Sequence, residues 1–163
     1  MIRIGILSDT HGYIHPRIPE FFSAVDEIWH AGDIGDIRIA HQLRELKPLR
    51  AVFGNIDGQS VRLEYPEVNH FRVEQVKVIM THIGGYPGHY DFRARLLIEQ
   101  EKPKLFICGH SHILKVIYDP KFELLHVNPG AAGKYGIHKS ITAIRMIIDG
   151  NNMRNMEVLD LPR

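Results

Sequence analysis

Five times along this chain, a short apolar run stops at a cluster of polar side chains of ligand type. Ile2–Leu7 leads into Ser8, Asp9, Thr10 and His11. Glu27–His30 leads into Ala31, Gly32 and Asp33. Leu49–Phe53 leads into Gly54 and Asn55, and Val76–Met80 into Thr81 and His82. Leu105–Cys108 leads into Gly109, His110, Ser111 and His112. Apolar runs of this length, without alternation, read as strands buried on both faces. In open α/β sheets, sites gather outside the carboxyl ends of such strands. Five of these ends would therefore bring their polar residues into one crevice.

The segments between the runs fit that picture. Pro19–Val25 reads as a helix opened by a proline. Asp36–Leu46 carries Ile39, Ala40, Leu43 and Leu46 at helical spacing, with Pro48 beyond its end. This β-α-β-α-β order predicts parallel pairing with helices on the sheet faces. Phe71, Val73, Val76, Val78 and Met80 alternate with other residues as a hairpin pair does. Tyr90–Gln100 reads as a helix that ends before Pro103. Beyond Ile113 the pattern predicts antiparallel strands at Leu114–Tyr118, Leu124–Val127, Ile141–Ile148 and Met153–Leu159, with turns at Asp119-Pro120 and Asp149-Gly150. No repeat or linker interrupts residues 1–163, so a single domain of two packed sheets covered by helices is expected.

Composition narrows the function classes. The formal net charge is +1 over 163 residues, so no global field draws the chain to nucleic acid or membrane. Its apolar runs are too short to span a bilayer. No basic region followed by an apolar segment suggests a secretory signal. The single Cys108 excludes an internal disulfide, and a cytoplasmic location is expected.

Two Asp, one Asn and four His make an oxygen-plus-imidazole ligand set without a thiolate: Asp9, His11, Asp33, Asn55, His82, His110 and His112. Asp9 and His11 are two apart, as are His110 and His112, and an extended segment would turn both members of each pair to one side. Seven groups are too many for one tetrahedral site and suit two adjacent ions. Asp33, the lone carboxylate of its cluster, is the natural bridge. Two divalent ions roughly 3.5–4 Å apart can share a hydroxide and clamp a phosphoryl group. A side-chain nucleophile is then unnecessary. No G-x-S-x-G elbow is present, and Cys108 lies in an apolar strand where a thiol is inert.

Taken singly, each cluster has a plainer explanation. Asp33 would serve as a helix N-cap, Asn55 as a turn residue, and a strand-end His as a structural hydrogen-bonding group. The joint pattern is what these explanations do not cover. Of the other histidines, His15, His41, His70 and His126 read as surface or core residues. His30 is placed to orient a ligand, while His89 and His138 lie in glycine-rich loops as substrate contacts. Asn128 to Gly133 reads either as a phosphate cradle or as a tight loop between strands.

These residues resemble the calcineurin-like metallophosphoesterase superfamily, and within it the small YfcE-type phosphodiesterase branch. The resemblance runs from Ile4 to about Ile148. Its carriers are Ser8-Asp9-Thr10-His11-Gly12, His30-Ala31-Gly32-Asp33, Gly54-Asn55-Ile56-Asp57, Thr81-His82, Gly109-His110-Ser111-His112 and Asn128-Pro129-Gly130. It implies an α/β (α+β) fold, a four-layer αββα sandwich with two mixed sheets. It also implies two divalent ions per chain, manganese foremost, with iron, zinc or nickel as substitutes. Asp9, His11 and His112 would hold one ion, Asn55, His82 and His110 the other, and Asp33 both. On this basis Asp33, Asn55 and His82 are expected to carry catalysis, and Asn55, His89 and His138 to contact substrate. Family members form dimers or larger homo-oligomers. Ile56 stands where many members carry His, which removes one acid. The expected reaction is phosphodiester hydrolysis of a small substrate. A phosphomonoesterase acting on a nucleotide or small metabolite, and a non-catalytic binding scaffold like the retromer subunit related to this family, are the competing readings. A DNA nuclease is disfavoured by length and charge.

Overall fold

A computed structural model describes residues Met1–Arg163. Its first sheet has five strands in the order β12-β11-β1-β2-β3, namely β1 (Ile2–Leu7), β2 (Glu27–His30), β3 (Leu49–Ala51), β11 (Ser140–Asp149) and β12 (Asn152–Pro162). The second follows the order β4-β5-β8-β10-β9, from β4 (Val68–Val73), β5 (Val76–Thr81), β8 (Leu105–Ile107), β9 (Leu114–Asp119) and β10 (Leu124–Pro129). Both sheets are mixed. β1, β2 and β3 run parallel, as do β5, β8 and β10, and the remaining pairings are antiparallel.

Three apolar clusters cement four layers. Ile4, Ile6, Trp29, Val78, Met80 and Ile107 belong to the one between the sheets. Leu7, Ile28 and Ala51 join Ile18, Phe22, Ile39 and Leu43 in a second. That cluster covers the outer face with α1 (Arg17–Phe21), α2 (Ile37–Leu46) and α3 (Gln59–Glu64). Ile79, Phe106, Cys108 and Leu124 meet Ala94 and Ile98 of α4 (Phe92–Glu101) in the third. Successive residues of one strand therefore point into different cores. This is why the runs lack alternation, and it yields the αββα sandwich.

Several local expectations shift. The first helix begins at Arg17, with Pro19 inside its first turn, where a missing N–H has no intrahelical acceptor to lose. α3 buries only Val61, too little to announce a helix by periodicity. Tyr90 belongs to a short hairpin, β6 (Gly85–Tyr86) with β7 (His89–Tyr90), and α4 starts only after Asp91. The Asp91 side chain caps the N–H groups of Arg93 and Ala94. The strands after Ile113 pair antiparallel as expected, β9 with β10 and β11 with β12, but the two pairs divide between the sheets. β9 and β10 join the second sheet, where β10 also pairs in parallel with β8, while β11 and β12 join the first.

His126 on β10 is fully buried, stacked on Phe106 and beside Tyr90, and neither ring nitrogen has a hydrogen-bond partner. Burial, helped by Lys115, pushes its pKa down to about 4. Between that value and the ordinary 6.5, the unfolded chain holds a proton that the folded chain refuses. Stability is thus fully present above about 6.5 and is lost as pH falls toward 4, by about 2 kcal/mol at pH 5. His126→Phe is expected to remove that share of the loss. Denaturant unfolding of metal-free protein at pH 7 and pH 5 measures it, and an unchanged difference would refute the assignment.

Candidate metal centre

The carboxyl ends of β1, β2, β3, β5 and β8 face one another across the top of the two sheets, and their loops continue the pairing. Asp9 N–H donates to Gly32 O (2.9 Å), His11 N–H to Asp33 O (3.0 Å) and Gly109 N–H to His82 O (2.9 Å). Gly133 N–H donates to Asp9 O (3.0 Å). These bonds hold an uncommon backbone. Asp9, His11, Asp33, His110 and His112 have φ of 53°, 45°, 54°, 71° and 60°. The two-apart pairs therefore share a side through paired left-handed residues, not through the extended backbone expected of them. Such residues cost free energy and persist where the surroundings over-determine them, above all at functional sites.

Two groups result. Asp9, His11 and His112 lie with their ligand atoms within 4.8 Å of one another, and so do Asp33, His82 and His110. Asp33 connects them, since its Oδ2 is 3.5 Å from His11 Nε2 and 3.2 Å from His82 Nε2. Asp9 Oδ1 faces His112 Nε2 at 3.1 Å and His11 Nε2 at 3.8 Å. Yet Asp9 Oδ1, His11 Nε2 and His82 Nε2 are buried and make no hydrogen bond. Buried polar atoms are rarely left so. Three of them aimed at one space are the arrangement a cation satisfies, and the donor set suits a divalent ion of borderline hardness.

The surroundings fix charge and tautomer. Asp9 Oδ2 accepts from the Ser8 hydroxyl (2.6 Å) and the His110 N–H (3.1 Å). Burial opposes its charge, but His11, His112, His82 and Ser8 outweigh that and hold the carboxyl well below the ordinary range. Asp33 is likewise lowered, against burial, by His82 and the Ile56 N–H, which its Oδ1 accepts at 3.1 Å. His82 donates Nδ1–H to Ala31 O (2.8 Å), so Nε2 is the nitrogen left for a ligand; burial opposes a charge on this ring, but Asp33 and Asp9 outweigh it and raise the pKa, so a cation bound there would displace the Nε2 proton. The cap of α2 is Asp36, which leaves Asp33 free of that duty.

His138 stands behind His112. Its Nε2 lies 2.7 Å from Gly133 O, which only accepts, so that nitrogen carries the proton. In its neutral form the ring would present Nδ1 as acceptor to His112 Nδ1–H at 3.1 Å, and a bound cation would then find the His112 Nε2 lone pair in place of the proton that Nε2 otherwise shares with Asp9 at 3.1 Å. His138→Ala should weaken manganese binding about 10–100-fold. Titration calorimetry measures this, and unchanged affinity would show the contact to be idle.

Asn55 is exposed beside the cleft that His82 also lines, and its side chain makes no hydrogen bond. His89 is exposed on β7 with its ring against Tyr86, and it makes no hydrogen bond or ring contact with the seven. His30 is fully buried, bonded to Thr10 Oγ1 (3.0 Å) and accepting from Gly32 N–H (3.1 Å), and burial pushes its pKa down to about 4. It thus clamps the backbone on which Asp9 and Asp33 stand. Residues 128–133 are buried, and Asn128 donates to Gly109 O and Ser111 Oγ, both at 3.0 Å. Asn128 and Pro129 thus end β10, with Asn128 steadying the His110–His112 turn, and Gly130 to Gly133 leave the strand as a buried loop.

Sequence reasoning missed Asp57. Its carboxylate accepts the N–H groups of Ile34, Gly35 and Gly54 at 3.1, 2.8 and 2.8 Å, tying the Asp33 loop to the Asn55 loop. Within Gly54-Asn55-Ile56-Asp57-Gly58 it looks like an ordinary turn residue, and no local signal marks it.

Comparison with known proteins agrees with this geometry. The calcineurin-like phosphoesterase superfamily domain matches residues 2–151. A probable metallophosphoesterase of Methanocaldococcus jannaschii is 31% identical over 134 residues, which cover 78% of this chain and 67% of that protein. In structure, a novel archaeal phosphodiesterase aligns with TM-score 0.74 at 22% identity, over 97% of this chain and 100% of that one. Vps29 of Chaetomium thermophilum aligns with TM-score 0.77 at 14% identity, over 100% of both chains. At these identities the two structural likenesses speak for the fold.

Proposed function

Because this chain belongs to the calcineurin-like phosphoesterase superfamily, we propose that it is a binuclear, metal-dependent phosphodiesterase acting on small esters. The observation that carries this reading is the trio of buried, unpartnered ligand atoms around Asp33. Asp9, His11 and His112 would hold one ion, Asn55, His82 and His110 the second, and Asp33 both, with manganese the preferred metal. When bound, such ions supply positive charge for the phosphoryl oxygens and a water acidic enough to attack near neutral pH.

The chain's own residues do the rest. Asp9 and Asp33 stay ionised, and His82 and His112 turn their Nε2 atoms inward. Asn55, unpartnered at the cleft, offers its amide N–H to a phosphate oxygen. Ile56, where an acid would stand, is 47% exposed and has no proton to give. A leaving group must then depart unprotonated, and general acid help is typically worth about 10²–10⁴-fold. Aryl diesters meet that condition. They also carry one negative charge less than a fully ionised monoester, which suits a site lined by neutral imidazoles.

With manganese-loaded protein, bis-aryl phosphate should show a higher kcat/KM than aryl monophosphate, and alkyl monophosphate the lowest. If the alkyl monoester is best, the chain is a phosphomonoesterase. Absence of metal-dependent hydrolysis on all three would favour the scaffold reading.

A further inference from the structure

A cleft of about 660 Å³ opens at Asn55 and His82 and runs away from the metal centre along α4. Its apolar walls are Phe53, Val68, Ile83, Leu96 and Leu97. Ile83 and Leu96 remain 41% and 40% exposed, although they line a concavity. Arg93, Leu97 and Gln100 mark the length of helix bordering it, roughly 10 Å at 1.5 Å per residue. Arg62 is fixed at the wall. Its Nε donates to Asp57 O at 2.6 Å, and its guanidinium lies 4.4 Å from the Phe53 ring centre. On the opposite flank the Tyr135 ring stands 5.0 Å from that of His11, and His138 backs His112.

We infer that this cleft is the subsite for the organic group of the ester, and that it takes a flat heteroaromatic group of nucleoside size. This rests on the phosphodiester reading and extends it. A phosphate held at Asn55 and His82, which themselves line the cleft, has its substituent next to these walls and away from the Tyr135 and His138 rings. The volume lies within the range of small-molecule sites, which are mostly apolar with a few placed polar groups. The walls accept the faces of a ring. Arg62, ordered by Asp57 O and Phe53 and with Nη2 3.5 Å from both Gly54 O and Asn55 O, has Nη1 left for acceptors on the ring edge, and Gln100 offers both a donor and an acceptor. An alkyl chain would fill the walls but make no use of these polar groups, which are exposed and would stay hydrated beside it.

The test uses adenosine monophosphate and methyl phosphate, which share the phosphate and differ in the organic group. With manganese-loaded protein, calorimetry should find adenosine monophosphate bound at least tenfold more tightly. Leu96→Glu, on the exposed side of α4, should reduce that ratio about tenfold. Adenosine added to metal-free protein should shift the NMR resonances of Ile83, Leu96 and Leu97, a readout independent of activity. Equal affinities for the two phosphates, or a ratio untouched by Leu96→Glu, overturn the subsite. If bis-aryl phosphate is still hydrolysed in that case, the phosphodiesterase reading stands alone. If no ester is hydrolysed yet adenosine shifts the cleft resonances, the subsite stands and that reading falls.

Discussion

Asp33→Asn is expected to lower metal-dependent phosphodiesterase turnover about a thousandfold while leaving the fold intact. The substitution is isosteric, and its side-chain oxygen can still accept the Ile56 N–H that Asp33 Oδ1 holds at 3.1 Å. What disappears is the charge between the two ligand groups, where Oδ2 lies 3.5 Å from His11 Nε2 and 3.2 Å from His82 Nε2. A neutral amide cannot balance two divalent ions, and the loss of one preorganised electrostatic contact typically costs about 10²–10³-fold in rate. On the proposed reading one residue would serve two ions, so the upper end is expected. Steady-state kinetics at saturating manganese, with circular dichroism to establish folding, measures the effect. A loss under tenfold would remove Asp33 from the bridging position.

Gly54→Ala should also be damaging, by about a hundredfold, although Gly54 has no side chain to contribute. A Cβ there would collide with Asp33 Oδ1 and the Asp33 amide nitrogen, and lie 2.8 Å from Asp33 Cγ. The Gly54 N–H is also tied to Asp57 Oδ2 at 2.8 Å, so the loop cannot swing aside without losing that bond. Asp33 would have to move by about an ångström, and displacement of that size costs about a hundredfold in rate. Gly58→Ala provides the control, because no atom lies within 4 Å of a Cβ at Gly58. Equal activities of the two variants would contradict the account of the close approach.

Much of this was legible in the chain, for identifiable reasons. β1 reads as a strand because Ile4 and Ile6 face the inter-sheet core while Leu7 faces the helices, so burial on both sides leaves an unbroken apolar run. The ligand clusters are visible because polar residues at the ends of such runs contrast sharply with what precedes them. The backbone that presents them was not legible. Asp9 and His112 reach inward through left-handed residues, and nothing in D-x-H or H-x-H distinguishes that from an extended segment. Asp57 and His138 act across 23 and 26 residues of separation, so their roles exist only once the loops meet. α3 and the β6–β7 hairpin escaped because they are short and bury almost nothing.

The central claim is that the two ligand groups joined by Asp33 hold two ions that work together. Its most direct test is the ratio of manganese to protein at which hydrolysis of bis-aryl phosphate saturates, with metal-free chain titrated at a concentration well above the dissociation constants. The account predicts saturation at two ions per chain. Full activity at one ion per chain, unchanged by a second, would contradict it.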